Sequence, residues 1–197
     1  MTNRPSGKIK PGGIEDEKEQ RIRRSVITLM LKEGFNGTSI AKIAKMAGVS
    51  PATVYIYYEN KEDMLQDIYL QYSDEVFDYL LAGIRCDMDG AQLIETLIRR
   101  YYSYMKDHPE AFCFVEQFAN CPSMASKCSC SRGMQSIFQW IEQKNSRPIH
   151  HRYSDKSVSA ILFYPVKALA ADHSSSEEEK AQLLEELIEM IQRAILA

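Results

Sequence analysis

TSIAKIAKMAGVSPATVYIYYENK, residues Thr38 to Lys61, reads as two short helices joined by a glycine turn. Thr38 is a candidate N-cap, Ile40, Ile43, Ala44 and Ala47 recur at helical spacing, and Gly48 stands where a left-handed residue would close the helix. The spacing predicts a first helix from Ser39 to Ala47. Val49 then fills the gap between helices, and Ser50-Pro51 sets an N-cap oxygen beside a residue preorganised for a first turn. That turn, Pro51, Ala52 and Thr53, is small enough to let the backbone approach another surface. Val54 and Tyr58 turn back to the core, whereas Tyr55 and Tyr57 face outward. Two outward tyrosines, followed by Asn60-Lys61-Glu62-Asp63, suit a helix end laid against DNA, hydroxyls meeting phosphates and rings meeting thymine methyls or sugars. The same residues also suit plain packing.

N-terminal to this motif, Ile22, Val26, Leu29 and Met30 form one apolar stripe on a helix over Ile14 to Glu33, ended by Gly34 with Phe35 beyond. Arg21, Arg23 and Arg24 on that helix either touch phosphate or share a solvated face with Glu17 and Glu19. Met1 to Gly13 has prolines, glycines and basic residues without apolar periodicity, as expected of a flexible arm. Its Arg4, Lys8 and Lys10 either follow a DNA backbone or minor groove, or belong to a terminus without a partner. The net charge of −3 is unevenly spread: residues 1–62 carry 11 basic against 7 acidic side chains, and the remainder 13 against 20. The basic end is the one suited to a polyanion.

The pattern T-x-I-A-x-I-A-x-x-A-G-V-S-x-A-T-x-Y-x-Y-Y-x-x-K-E resembles the DNA-binding signature of the TetR family of bacterial repressors, over Ile22 to Leu65. Ala52 stands where many members carry glycine and Tyr58 where many carry phenylalanine; alanine still permits close approach, and the extra hydroxyl requires a polar neighbour or water. The resemblance implies an all-α fold, with a three-helix helix-turn-helix domain over 14–62 and a helical ligand-binding and dimerisation domain over 63–197. It also implies that Thr38, Ser50, Pro51, Ala52, Thr53, Tyr55, Tyr57 and Lys61 meet a double-stranded operator.

Beyond Asn60, Leu65, Ile68, Tyr69, Tyr72, Val76 and Leu80 predict a long helix to Gly83 that joins the two domains. Leu93 to Met105 marks the next, and Pro109 opens AFCFVEQFAN, a short helix apolar on most faces and hence expected to lie deep in the second domain. Cys121 to Gly133 lacks periodicity; Met134, Ile137, Phe138 and Ile141 predict a helix to Lys144. Ser154 or Asp155 caps a helix over Val158 to Ala171, where Pro165 should introduce a kink unless a neighbour covers the break. Ser174-Ser175-Ser176 and three glutamates start the last helix. Its apolar residues Leu184, Leu187, Ile188, Ile191 and Ile195 form a face broad enough for a homodimer contact made with the preceding helix, or for burial within one subunit.

Aromatic and sulfur side chains are frequent in the second domain. The resemblance implies that some of Tyr101, Tyr104, Met105, Phe112, Trp140, Phe163 and Tyr164 line a cavity for a small-molecule effector, while most of any such set is ordinary core. No phosphate-binding glycine loop, nucleophile elbow or zinc-protease motif is present, so no catalytic residues, cofactor or metal are assigned and an enzyme is not expected. His150 and His151 are adjacent and diverge on most backbones. Cys128-x-Cys130, with Cys113 and Cys121 nearby, is an alternative, redox-sensing input; free thiols are the plainer expectation for five cysteines without zinc-finger spacing. There is no secretory signal or membrane-spanning run, which points to the cytoplasm. The expected function is therefore a sequence-specific repressor released from a palindromic operator by a small molecule, with a helical architectural DNA-binding protein without effector as the alternative.

Overall fold

The structure, a computed structural model, describes residues 17–119 and 153–196. The N-terminal arm, Cys121, Cys128, Cys130, the helix expected after Met134, Trp140 and the His150-His151 pair lie outside the described residues. Those described are helical with connecting turns and contain no strand: α1 (Glu17–Gly37), α2 (Ile40–Ala47), α3 (Pro51–Tyr57), α4 (Lys61–Leu81), α5 (Gly90–Asp107), α6 (Pro109–Ala119), α7 (Asp155–Ala171) and α8 (Glu177–Leu196). The chain divides into two compact units, one of residues 1–72 with 110–131 and one of residues 73–109 with 132–197.

In the first unit, α1 breaks where the sequence places a stop. Gly34 has φ 68 and ψ −177, outside the helical region and in the left-handed half that glycine tolerates. Ser39, not Thr38, caps α2: its extended backbone (φ −133, ψ 156) turns Oγ toward the Lys42 N–H, 3.3 Å away. Thr38 is buried and its hydroxyl donates to the Gly34 carbonyl at 2.8 Å, closing the turn from the inside. Gly48 ends α2 at φ 67, ψ 37, and its N–H is shared between the Ala44 and Lys45 carbonyls. Ser50 caps α3 through the Thr53 N–H at 3.1 Å, with Pro51 in the first turn. Asn60 accepts from the Asp63 N–H at 2.8 Å and starts α4.

Ile22, Val26, Leu29 and Met30 of α1 meet Ile43, Ala44 and Ala47 of α2, Val54 of α3 and Met64, Leu65 and Ile68 of α4 in one buried cluster. Removing each large side chain from water contributes about 1.5–3 kcal/mol, which is how three short helices hold together. The cluster is completed from far along the chain. Phe114 and Phe118 of α6 are fully buried in it, Phe118 stacked 4.4 Å from Tyr69 at an interplanar angle of 16° and Phe114 edge-on to Tyr72 at 6.2 Å. The apolar faces that suggested burial of α6 in the second domain are therefore satisfied in the first.

In the second unit, α5, α7 and α8 pack pairwise. Leu93, Ile94, Leu97, Ile98, Tyr101, Tyr104 and Met105 bury one face of α5; Val158, Leu162, Phe163 and Val166 do so for α7. Tyr101 and Phe163 meet edge-to-face at 4.9 Å, and Tyr79 meets Tyr104 at 5.3 Å. Around this core Arg99 forks onto Glu185 at 2.7 and 2.6 Å, and Gln192 donates to the Ala91 carbonyl at 2.9 Å. Asp89 and Gln92 form a reciprocal cap on α5, as Ser176 and Glu179 do on α8. Helix α7 continues through Pro165. The carbonyl that Pro165 leaves without an N–H donor belongs to Ile161, whose side chain is exposed.

The α8 residues expected at a dimer contact are displaced in register. Leu184, Ile188, Ile191 and Ile195 are buried inside the subunit, because this side of α8 packs on α5 and α7, and Leu187 is half-buried at its edge. The apolar side chains left outside are Leu183, Met190 and Leu196 on α8, with Ile161 and Tyr164 on α7.

Candidate nucleic-acid interface

The two caps described above fix the path of the chain through α2 and α3, and with it the side chains that reach solvent. Along α3, Pro51, Ala52, Tyr55 and Ile56 are exposed, Thr53 and Tyr57 are half-buried, and Val54 is fully buried. The Ser50 and Thr53 hydroxyls lie 2.9 Å apart at the start of the helix, so its exposed first turn presents two hydroxyls and a proline rather than bulk. On α2, Lys42, Lys45 and Met46 are exposed; Lys42 is paired with Glu33 and donates to the Gly37 carbonyl at 2.8 Å. A methyl group at Gly48 would lie 3.5 Å from the Arg21 guanidinium, which puts the Arg21 cation beside the turn between α2 and α3. Arg23, by contrast, lies over the Tyr72 ring at 4.1 Å and belongs to the packing of α1 on α4.

Two of the residues expected at DNA are engaged within the fold. Thr38 is buried, as described, and the Lys61 ammonium donates to the carbonyls of Phe35 and Thr38 at 2.9 and 3.1 Å while lying 3.9 Å from the centre of the Phe35 ring. Ser50, Pro51, Ala52, Thr53, Tyr55 and Tyr57 share one short, neutral, hydroxyl-bearing element flanked by cations from α1 and α2. In helix-turn-helix proteins the start of the second helix contacts base edges while nearby cations contact phosphate. Sequence reading missed Ile56, which sits between the two tyrosines it singled out; the available signal was position, two residues after the core residue Val54.

The family model for bacterial regulatory proteins of the tetR family matches residues 27–68, the segment that contains α2, α3 and their capping residues. An uncharacterized HTH-type transcriptional regulator of Haemophilus influenzae is 24% identical over 182 residues, covering 89% of this chain and 94% of that protein. Residues 27–68 are thus a segment of the TetR type, and the similarity to a transcriptional regulator extends over most of the chain. It is a DNA-binding transcriptional regulator. A TetR-family transcription regulator from Marinobacter aquaeolei has the same fold, with a TM-score of 0.71 and 24% identity over 92% of this chain and 96% of that one. So does the regulator FadR from Bacillus subtilis, solved in complex with stearoyl-CoA, with a TM-score of 0.67 and 16% identity over 87% and 96%.

The residues named for effector binding separate. Tyr101, Tyr104, Met105 and Phe163 are buried together in the second unit, Phe112 is half-buried in the first, and Tyr164 is 68% exposed and lines no interior space. Burial pushes the Tyr101 phenol well above its ordinary pKa, keeping it a neutral hydroxyl. Cys86 and Cys113 are exposed free thiols. Among the described residues no group of three His, Cys, Asp or Glu is placed to hold a metal, and no helix is long and apolar enough to cross a membrane.

Proposed function

We propose that the protein is a homodimeric repressor that sets two copies of α3 on a two-fold symmetric operator and leaves it when an effector binds the second unit. The observation that carries the dimer is the apolar stripe on α7 and α8. Ile161 and Tyr164 are three residues apart on α7, and Leu183 and Met190 seven apart on α8, so each pair repeats along one helix face. Met190 is 65% exposed and Tyr164 68%, an apolar surface that a second copy would cover by a four-helix contact. Two α3 helices related by that axis suit half-sites about 34–36 Å apart.

Ser50, Pro51, Ala52, Thr53, Tyr55 and Tyr57 form the proposed DNA surface, and Thr38 and Lys61 support it from within. For the effector, the supporting observation is the neutral, aromatic and sulfur-bearing group Tyr101, Tyr104, Met105 and Phe163. A ligand there must be largely apolar with at most a hydrogen-bonding group for a phenol, a chemistry compatible with the acyl chain of the stearoyl-CoA held by FadR. The deciding experiment is footprinting of the chain's own upstream region, followed by titration with acyl-CoA thioesters and free fatty acids. A symmetric footprint lost on titration supports the reading; protection without symmetry removes the dimer, and a symmetric footprint insensitive to every apolar ligand removes the effector.

A further inference from the structure

We infer that Ile56 reads a thymine methyl group in each operator half-site. The inference rests on the proposed DNA surface and adds to it a residue and the base group that residue recognises. At about 100° per residue, Ile56 lies about 200° around α3 from Val54, so the side chain opposite the fully buried one is the centre of the outward face. It is 62% exposed, more than Tyr55 at 47%, and its neighbours one turn back are Ala52 and Thr53, short side chains that leave it projecting. A branched hydrocarbon at the centre of a DNA-facing element makes no hydrogen bond to phosphate or to a base edge. Its complement in a major groove is the C5-methyl of thymine, the one methyl group that the four bases present there. The surrounding chemistry agrees: the hydroxyls of Ser50 and Thr53 and the cations Arg21 and Lys45 provide for phosphate and polar base atoms, and Ile56 is the large aliphatic side chain exposed on α3.

The test uses the full chain and a duplex selected by it from a randomised pool. Each thymine of one half-site is replaced in turn by uracil, which removes the methyl and keeps every hydrogen-bonding atom. Covering one methyl corresponds to about a fourfold change in affinity, so losing the recognised methyl from that one half-site should weaken binding about fourfold. Ile56→Val should keep that dependence and Ile56→Ala should bind the thymine and uracil duplexes equally, with thermal unfolding unchanged in both because the side chain is on the surface. The inference is overturned if wild type is indifferent to every uracil, or if Ile56→Ala retains the same fourfold difference. If the wild-type chain enriches no sequence at all, the reading of the DNA surface fails first and the inference falls with it, a result distinct from selective binding without methyl dependence.

Discussion

Lys61 Nζ donates to the Phe35 carbonyl at 2.9 Å and lies 3.9 Å from the centre of the same residue's ring, so the first residue of α4 holds the turn between α1 and α2. The second acceptor, the Thr38 carbonyl at 3.1 Å, is the residue before the α2 cap. Methionine at position 61 keeps the stem and loses all of these contacts. Because Lys61 is half-buried, we expect Lys61→Met to cost about 1–2 kcal/mol. Urea titration should show a lower midpoint, while the salt dependence of operator affinity stays that of wild type. A residue serving phosphate would behave in the opposite way, with unchanged stability and a salt slope reduced by about one unit.

Phe118 offers a sharper test of how the DNA-binding unit is assembled, because it comes from α6 and is buried against Tyr69 of α4. Truncating a buried aromatic costs about 3–5 kcal/mol, transfer and cavity together. Phe118→Ala should therefore destabilise the helix-turn-helix although it lies more than 50 residues from Lys61 in sequence. Hydrogen exchange of α1 to α3 amides would report this directly; faster exchange confined to α6 would mean that the motif stands without it.

How far the sequence announced these features depended on how local their causes are. The Gly34 break, the Gly48 left-handed closure, the Ser50 cap and the Val54 and Tyr58 burial each follow from a few neighbouring residues, and each is found where periodicity and capping chemistry put it. The Thr38–Ser39 pair shows the limit: both are good caps, and the choice falls to Ser39 because Thr38 is drawn inward to the Gly34 carbonyl. Tertiary selection explains the remaining differences. The apolar face of α6 was evident, but not that Tyr69 and Tyr72 would receive it; the breadth of α8 was evident, but not which of its sides α5 and α7 would take. Ile56 lies between Tyr55 and Tyr57 and two positions from the core residues Val54 and Tyr58, so its outward placement follows from the same period that buries them.

Stability in the second unit should fall in acid. Arg99 holds the Glu185 carboxyl, and Lys106 the Glu177 carboxyl, below the ordinary glutamate value of 4.5; the hydroxyls of Ser174 and Ser175 and the Ser174 N–H hold Asp172 below the ordinary aspartate value of 3.8. Each folded pKa lies below its unfolded value, so the unfolded chain binds protons more readily. The stabilisation is complete above the unfolded value and lost as pH falls through the folded one. All three carboxyls are on the surface, so the effect should be modest and reduced by salt. Thermal melts between pH 6 and pH 3 should show a midpoint that drops over the acid end of that window, and Glu185→Gln should remove part of the drop. A Glu185→Gln profile parallel to wild type would deny the Arg99 pair any part in it.

The exposed and buried sides of α8 make opposite predictions for charge substitutions only a few residues apart. Leu183 and Met190 face out, so Leu183→Glu with Met190→Glu leaves the packing on α5 and α7 intact and sets like charges across the proposed two-fold contact. The double variant should sediment as a folded monomer, with an unchanged helical signal and operator affinity reduced by an order of magnitude or more, since each monomer grips a single half-site. Ile191→Glu instead drives an ionised carboxyl into the subunit core beside Ile188 and Ile195, a placement that costs several kcal/mol and should unfold the second unit before association is at issue. Sedimentation and circular dichroism on both variants separate the two effects. A folded dimer persisting with Leu183→Glu and Met190→Glu would move the interface off this stripe, and a folded monomer from Ile191→Glu would mean that the buried side of α8, not the exposed one, is the side a partner covers.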